Sequence, residues 1–220
     1  MDNYEPTRRT RVRRRSERAS YDRDLVHRII DEALVCHVAF VHEGEPRVLP
    51  TTIVRIDDDV YIHGSTRNGL LTALAAGVPA SIAVTHVDGV VAGRSGFGCS
   101  LEYRSVVAYG TATEVAPEDK ERIMDALVQD IMPGHRVRRL AASELAATLV
   151  LRFPLTEVSA KVRDHGVSDA AADYDLDLWA GVIPLALTAG PPVSDSKLKQ
   201  GVPVPEFALR YHRQEPPRSS

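Results

Sequence analysis

The chain has 220 residues, 44% of them hydrophobic, with 27 Lys and Arg against 30 Asp and Glu for a formal net charge of −3. That length and apolar content suit one domain with a sizeable core, and the near balance of charge argues against a polyanion binder acting through its whole surface, so no nucleic-acid partner is expected. Two isolated cysteines, Cys36 and Cys99, make no disulfide framework; with no apolar run of the roughly 18 residues a membrane span needs and no secretory h-region, the expectation is a cytoplasmic protein without a membrane partner.

Residues 1–18 form a basic arm, in which Arg8, Arg9, Arg11, Arg13, Arg14, Arg15 and Arg18 crowd together. The arm either binds phosphates or an acidic surface, or is a solvated, partly disordered segment held by carboxylates of its own domain. Asp22 is placed to cap a helix carrying Leu25, Val26, Ile29, Ile30 and Ala33 at the helical period. Leu34 to Val41 and Val48 to Ile56 read as a hairpin about the Glu43-Gly44-Glu45-Pro46 turn. A third strand, Val60 to His63, follows the Asp57-Asp58-Asp59 turn and leads into a helix through Leu70, Leu71, Leu74 and Ala75 that ends at Gly77. Ala80 to Val87 is again a strand, followed by Asp88-Gly89, Val90-Val91-Ala92 and a glycine-rich segment running to a strand from Ser105 to Val115. Pro117 opens a helix with Ile123, Met124, Leu127 and Val128 on one side. Leu149 to Phe153 and Val158 to Val162 are two further strands, and Leu178 to Leu187 is the last ordered piece. Domain organisation is therefore an arm (1–18), a β-rich domain (19–190) and an extended Pro-rich tail (191–220). The class expected is mainly β with flanking helices, an antiparallel barrel rather than a doubly wound sheet.

Three segments carry candidate chemistry. His63-Gly64-Ser65-Thr66-Arg67-Asn68 joins a strand end to a helix start, offering hydroxyls, amides and a guanidinium to a phosphate monoester, or else an ordinary helix cap with a surface arginine. Arg94-Ser95 and Tyr103-Arg104-Ser105 bring two more guanidiniums and a phenol, for a phosphate or a ring carbonyl, with ion pairs to Asp88 or Glu102 as the alternative. Lys161 and Arg163 alternate with apolar residues and so share one strand face, either solvated or lining an anion cleft. Cys99 sits among glycines as an accessible thiol or an inert one. The eight histidines show no metal-ligand spacing, so no metal is expected, and no G-x-S-x-G elbow supports a hydrolase.

Tyr21-Asp22, Val35-Cys36-His37-Val38-Ala39-Phe40-Val41, Leu49-Pro50-Thr51-Thr52, Tyr61-Ile62-His63-Gly64-Ser65, Tyr103-Arg104-Ser105-Val106-Val107, Ser159-Ala160-Lys161 and Trp179-Ala180-Gly181-Val182 run in order over most of residues 11–185. In this pattern the chain resembles the flavin-nucleotide-binding proteins related to pyridoxamine 5'-phosphate oxidase, near the nitroimidazole-resistance reductases. The resemblance implies a split β-barrel homodimer with FMN at the subunit interface, FAD, haem or deazaflavin being the alternative cofactors. It implies that Thr51, Thr52, Ile53 and Arg55 line the flavin ring and that His63, Gly64, Ser65, Arg67 and Asn68 hold the ribityl phosphate. Arg94 and Ser95 would lie near the ring, with Lys161 and Trp179 approaching from the partner subunit or the same cleft. Cys99, Tyr103 and Arg104 are the nearest candidates for shaping the side of a small-molecule substrate. Relatives often carry two histidines where this chain has Gly98-Cys99. The activity implied is transfer of hydride or electrons between a reduced nicotinamide-type donor and a small organic acceptor; a non-catalytic flavin carrier or sensor is the alternative.

Overall fold

A computed structural model describes residues 2–212. Asp22, itself extended, accepts a hydrogen bond from the Leu25 amide at 2.8 Å and so starts α1 (Arg23–Asp31), which buries Val26, Ile29 and Ile30. The first hairpin, β2 (Val35–His42) with β3 (Glu45–Thr52), turns through Glu43 and Gly44, both at positive φ (53° and 78°), the geometry that matches the twist of two-residue hairpins. The expected run to Ile56 is divided: Ile53, 1% exposed, is a corner beyond which β4 (Val54–Ile56) joins a different sheet. After β5 (Asp59–Ser65) and α2 (Gly69–Ala75), β6 (Pro79–Ala92) is one 14-residue strand, with Asp88 bulged between Val87 and Gly89 rather than ending it.

Strand β7 (Ser100–Thr111) starts five residues before the predicted Ser105, and a second corner at the buried Ala112 passes the chain to β8 (Thr113–Glu114). Helix α3 (Pro117–Ile131) has proline in its first turn, as expected, whereas the short α4 (Ala142–Ala147) was not anticipated. Then come β9 (Thr148–Pro154), β10 (Glu157–Arg163), β11 (Gly181–Pro184) and the four-residue α5 (Glu206–Leu209), a helical turn inside the segment expected to be extended. The final eight residues of the expected tail lie outside the described residues.

With β1 (Ala19–Ser20), the strands form two antiparallel sheets. The larger runs β1-β10-β7-β6-β2-β3 with β11 added along β6, and the smaller runs β4-β5-β9-β8. This is a mainly antiparallel β protein with a few helices. The sheets, α1 and α2 enclose one core in which Ile29, Ile62, Leu71, Leu74, Leu151 and Phe153 are fully buried, each worth about 1.5–3 kcal/mol in apolar transfer. A smaller cluster of Tyr61, Ile123, Leu127 and Val150 seats α3 on the second sheet.

The basic arm packs along the domain. Tyr4 is 2% exposed and its hydroxyl lies 2.9 Å from His27 Nε2; burial pushes its phenol up to about 12. Arg9 pairs with Glu157 and covers the Tyr109 ring. Arg15 takes a left-handed φ of 56°, which folds the chain into the short 3-10 turn Ser16–Arg18 before β1 pairs with β10.

Candidate functional site

Two groups of candidate residues occupy two different places. The first lies where β3 ends and where β5 enters α2. Thr51 and Thr52 are half-buried opposite Cys36 and Val35, while the Ile53 side chain is in the core and offers a site only its backbone. Arg55 forks onto Asp31 (2.7 and 2.6 Å) and donates to the Asp57 carbonyl, so its guanidinium is committed. His63 is half-buried with Nδ1 lacking a hydrogen-bond partner, and desolvation lowers its pKa, keeping the ring neutral. Gly64 lets α2 close on β5: a Cβ there would stand 2.5 Å from Leu71 Cδ1.

Helix amides are not the donors expected at this rim. The Asn68 carboxamide caps α2 by accepting from Leu70 and Leu71, and the Thr66 amide is spent on the Ala147 carbonyl. What remains is side-chain chemistry: the Ser65 hydroxyl, which accepts from the Arg67 amide at 3.2 Å, and the exposed Arg67 guanidinium, which has no ion-pair partner among the described residues. A cation, hydroxyls and an unpartnered imidazole nitrogen fit the phosphate and polar edge of a flavin nucleotide.

The second place is the loop between β6 and β7 with the strand face of β10. Asp169, its side chain fully buried, accepts from the Arg94 amide (3.0 Å) and from Arg94 Nη1 (3.2 Å), and Arg94 also covers the Tyr174 ring at 4.9 Å. Gly93 and Gly98 are glycine because Asp169 sits against them; a Cβ on Gly93 would meet Oδ1 at 2.7 Å. Ser95 holds the loop turn, accepting from the Gly98 amide. Cys99 is exposed, 3.8 Å from the Gly93 carbonyl.

Beside this loop lies a cleft of about 540 Å³ lined by Arg14, Arg15, Arg18, Lys161, Arg163 and His165, with Cys99 and Phe97 on its wall. Lys161 and Arg163 do share one face, as their alternation predicts, and the arm's arginines cover it. Sequence reasoning named these two but did not join them to the arm. It missed Asp169 altogether, since the glycines signal a close approach without saying what approaches.

Arg104 is held away from either place. It donates twice to Asp88 (2.9 Å each) and once to Glu32 (2.6 Å), which drives its pKa up and realises the ion-pair alternative. Tyr103 is half-buried opposite Arg163. Trp179 is 69% exposed, its ring edge against Gly181. Lys161 lies on β10 and Thr51 on β3, four strands across one sheet, about 19 Å at the usual strand spacing. Among the described residues no group of three His, Cys, Asp or Glu side chains is gathered as for a metal ion, and no helix is long and apolar enough to cross a membrane.

The two antiparallel sheets exchange strands at Ile53 and Ala112, which defines a mainly antiparallel β protein with polar groups left open at the rim and on β10. The family is shown by comparison: a family model described as pyridoxamine 5'-phosphate oxidase matches residues 22–162, and the chain belongs to that family. The FAD and haem binding protein from Mycobacterium smegmatis is 36% identical, with a TM-score of 0.84 over 86% of this chain and 95% of that one. The flavocytochrome Anf3 from Azotobacter vinelandii is 34% identical, with a TM-score of 0.89 over 94% of this chain and 98% of its own. A Bacteroides thetaiotaomicron protein assigned to 5-nitroimidazole antibiotic resistance is 19% identical, with a TM-score of 0.57 over 66% of this chain and 86% of that one, and bears on the fold alone. Comparison with curated proteins found no match.

Proposed function

We propose that the protein is a flavin-dependent redox protein, a homodimeric split barrel that passes hydride or electrons between a reduced nicotinamide-type donor and a small organic acceptor. The observation that carries this reading is the similarity to the flavocytochrome over 94% of the chain at 34% identity. Family membership and the uncommitted donors of the rim agree with it. When bound, a flavin supplies the hydride and electron chemistry, and the protein's part is binding, orientation and exclusion of water.

Arg67 and the Ser65 hydroxyl would hold the phosphate, with the neutral His63 ring beside them and Thr51 and Thr52 toward the flavin ring. The resemblance implied FMN; similarity to a protein described as FAD and haem binding favours FAD. Lys161 stands four strands from Thr51, too far to serve the same flavin from one copy, so it would serve it from the partner subunit, as would the exposed Trp179. Exposed Val35, Val41 and Val48 on β2 and β3 supply apolar surface for that pairing. Arg104, already satisfied, has no catalytic part in this reading.

Both relatives' descriptions favour a second reading, in which the protein also binds haem. His37 is exposed on β2 between Ala83 of β6 and Pro50 of β3, and is open to act as an axial ligand. The cofactor released by heat from purified protein decides the matter: chromatography and mass should give FAD, with Arg67→Ala retaining about tenfold less. Protein without any flavin would overturn the proposal.

A further inference from the structure

We propose that the cationic cleft between the N-terminal arm, the β6–β7 loop and β10 binds the diphosphate of a nucleotide. Its floor is Arg163, 3% exposed, whose Nη2 donates to the Gly166 carbonyl at 2.8 Å while Nε and Nη1 have no hydrogen-bond partner. No carboxylate among the described residues pairs with it. A guanidinium buried in that state is unfavourable unless an anion completes it.

Lys161 stands two residues before Arg163 on the same strand face, and among the described residues its Nζ donates only to the Arg14 carbonyl, at 3.4 Å. Arg18 adds a second guanidinium whose buried Nε has no hydrogen-bond partner and whose Nη2 lies 3.3 Å from His165 Nε2. Arg14 and Arg15 complete five basic side chains around the cleft, against the single carboxylate of Glu17, which sits at 3.9 Å from Arg15 and 4.0 Å from Arg18. The left-handed backbone of Arg15, unfavourable for a residue with a side chain, is what turns the arm back over this floor.

This density of forked donors matches phosphate oxygens better than a single carboxylate. The cleft volume of about 540 Å³ accommodates a mononucleotide. Phe97, 97% exposed on the wall, offers a flat face on which a base can stack. The same diphosphate chemistry has two sources: the flavin's own adenylate half, or a separate nicotinamide nucleotide.

Calorimetric titration of the purified protein with inorganic pyrophosphate and with ADP, together with FAD affinity, tests this in Arg14→Ala, Arg18→Ala and Arg163→Gln. A separate nucleotide predicts saturable pyrophosphate and ADP binding that each variant weakens at least tenfold, with FAD affinity unchanged. The flavin's own diphosphate predicts a filled cleft that takes no pyrophosphate, and variants whose FAD affinity falls at least tenfold. Variants matching the parent in both affinities overturn the proposal; the exposed Arg14→Ala keeps the test decisive if Arg163→Gln does not fold. Flavin retained with both affinities unmoved sinks the cleft and leaves the flavin reading standing, whereas pyrophosphate bound by flavin-free protein does the reverse.

Discussion

Replacing Arg104 by leucine separates a structural arginine from a functional one. Its guanidinium ties the β6–β7 pair to α1 through three charge-assisted hydrogen bonds, two to Asp88 and one to Glu32. The three side chains are between a quarter and a third exposed (26%, 31% and 27%). The loss should therefore fall between the small value of a surface pair and the 3–5 kcal/mol of a buried one, at about 2–3 kcal/mol. For a chain of this size that is about 4–12 °C in Tm. Urea and thermal denaturation followed by circular dichroism would measure it, with cofactor retention assayed in parallel. The expected result is a less stable protein that still binds its flavin. Unchanged stability with lost flavin would refute the reasoning and make Arg104 a ligand-contacting residue.

Other perturbations have outcomes set by the same geometry. His63 and His27 are both held below the ordinary value of 6.5, chiefly by burial. The unfolded chain then takes up protons first, so their contribution is intact above about pH 6.5 and is lost as pH falls toward their lower folded values; His63→Gln should flatten that decline in a stability–pH series, and an unaltered slope would count against a buried neutral ring. Gly64→Ala should cost about 1–3 kcal/mol through overpacking against the fully buried Leu71, read as a lower urea midpoint. A thiol reagent should label native protein once, at exposed Cys99; Cys36, fully buried with its thiol pushed up to about 12, should react only after unfolding, and a doubly labelled native species by mass spectrometry would contradict this. Asp22→Ala should destabilise α1 by about 1 kcal/mol, again measurable by urea denaturation.

Features written in a few adjacent residues were legible in the sequence. The Asp22 cap, the Glu43-Gly44 turn and the proline start of α3 depend on local backbone chemistry. The corners at Ile53 and Ala112 were not legible, because neither residue has turn chemistry and a run of strand-forming residues looks the same whether it stays in one sheet or crosses to another. Asp88-Gly89 has turn chemistry, but pairing on both sides of it carries the strand through as a bulge. Helix α4 is six residues, too short to show a period, and its N-cap is Ala141, which has no side-chain acceptor. At the candidate site, the cations and hydroxyls were visible as residue types, but their partners were not. Asp169 lies 75 positions from Arg94, and the arm's arginines reach β10 only in the folded chain, where β1 pairs with β10 and Arg9 with Glu157. That long-range pairing also distinguishes the committed Arg104 and Arg55 from the open Arg67 and Arg163, which sequence alone treats alike.

A redox-active flavin in this chain would be visible directly. Its most direct test is the absorption spectrum of freshly purified protein, recorded again after anaerobic addition of a reduced nicotinamide nucleotide. Flavin bands should bleach on addition of the donor and return when an acceptor is admitted. A spectrum with no flavin bands would contradict the flavin proposal.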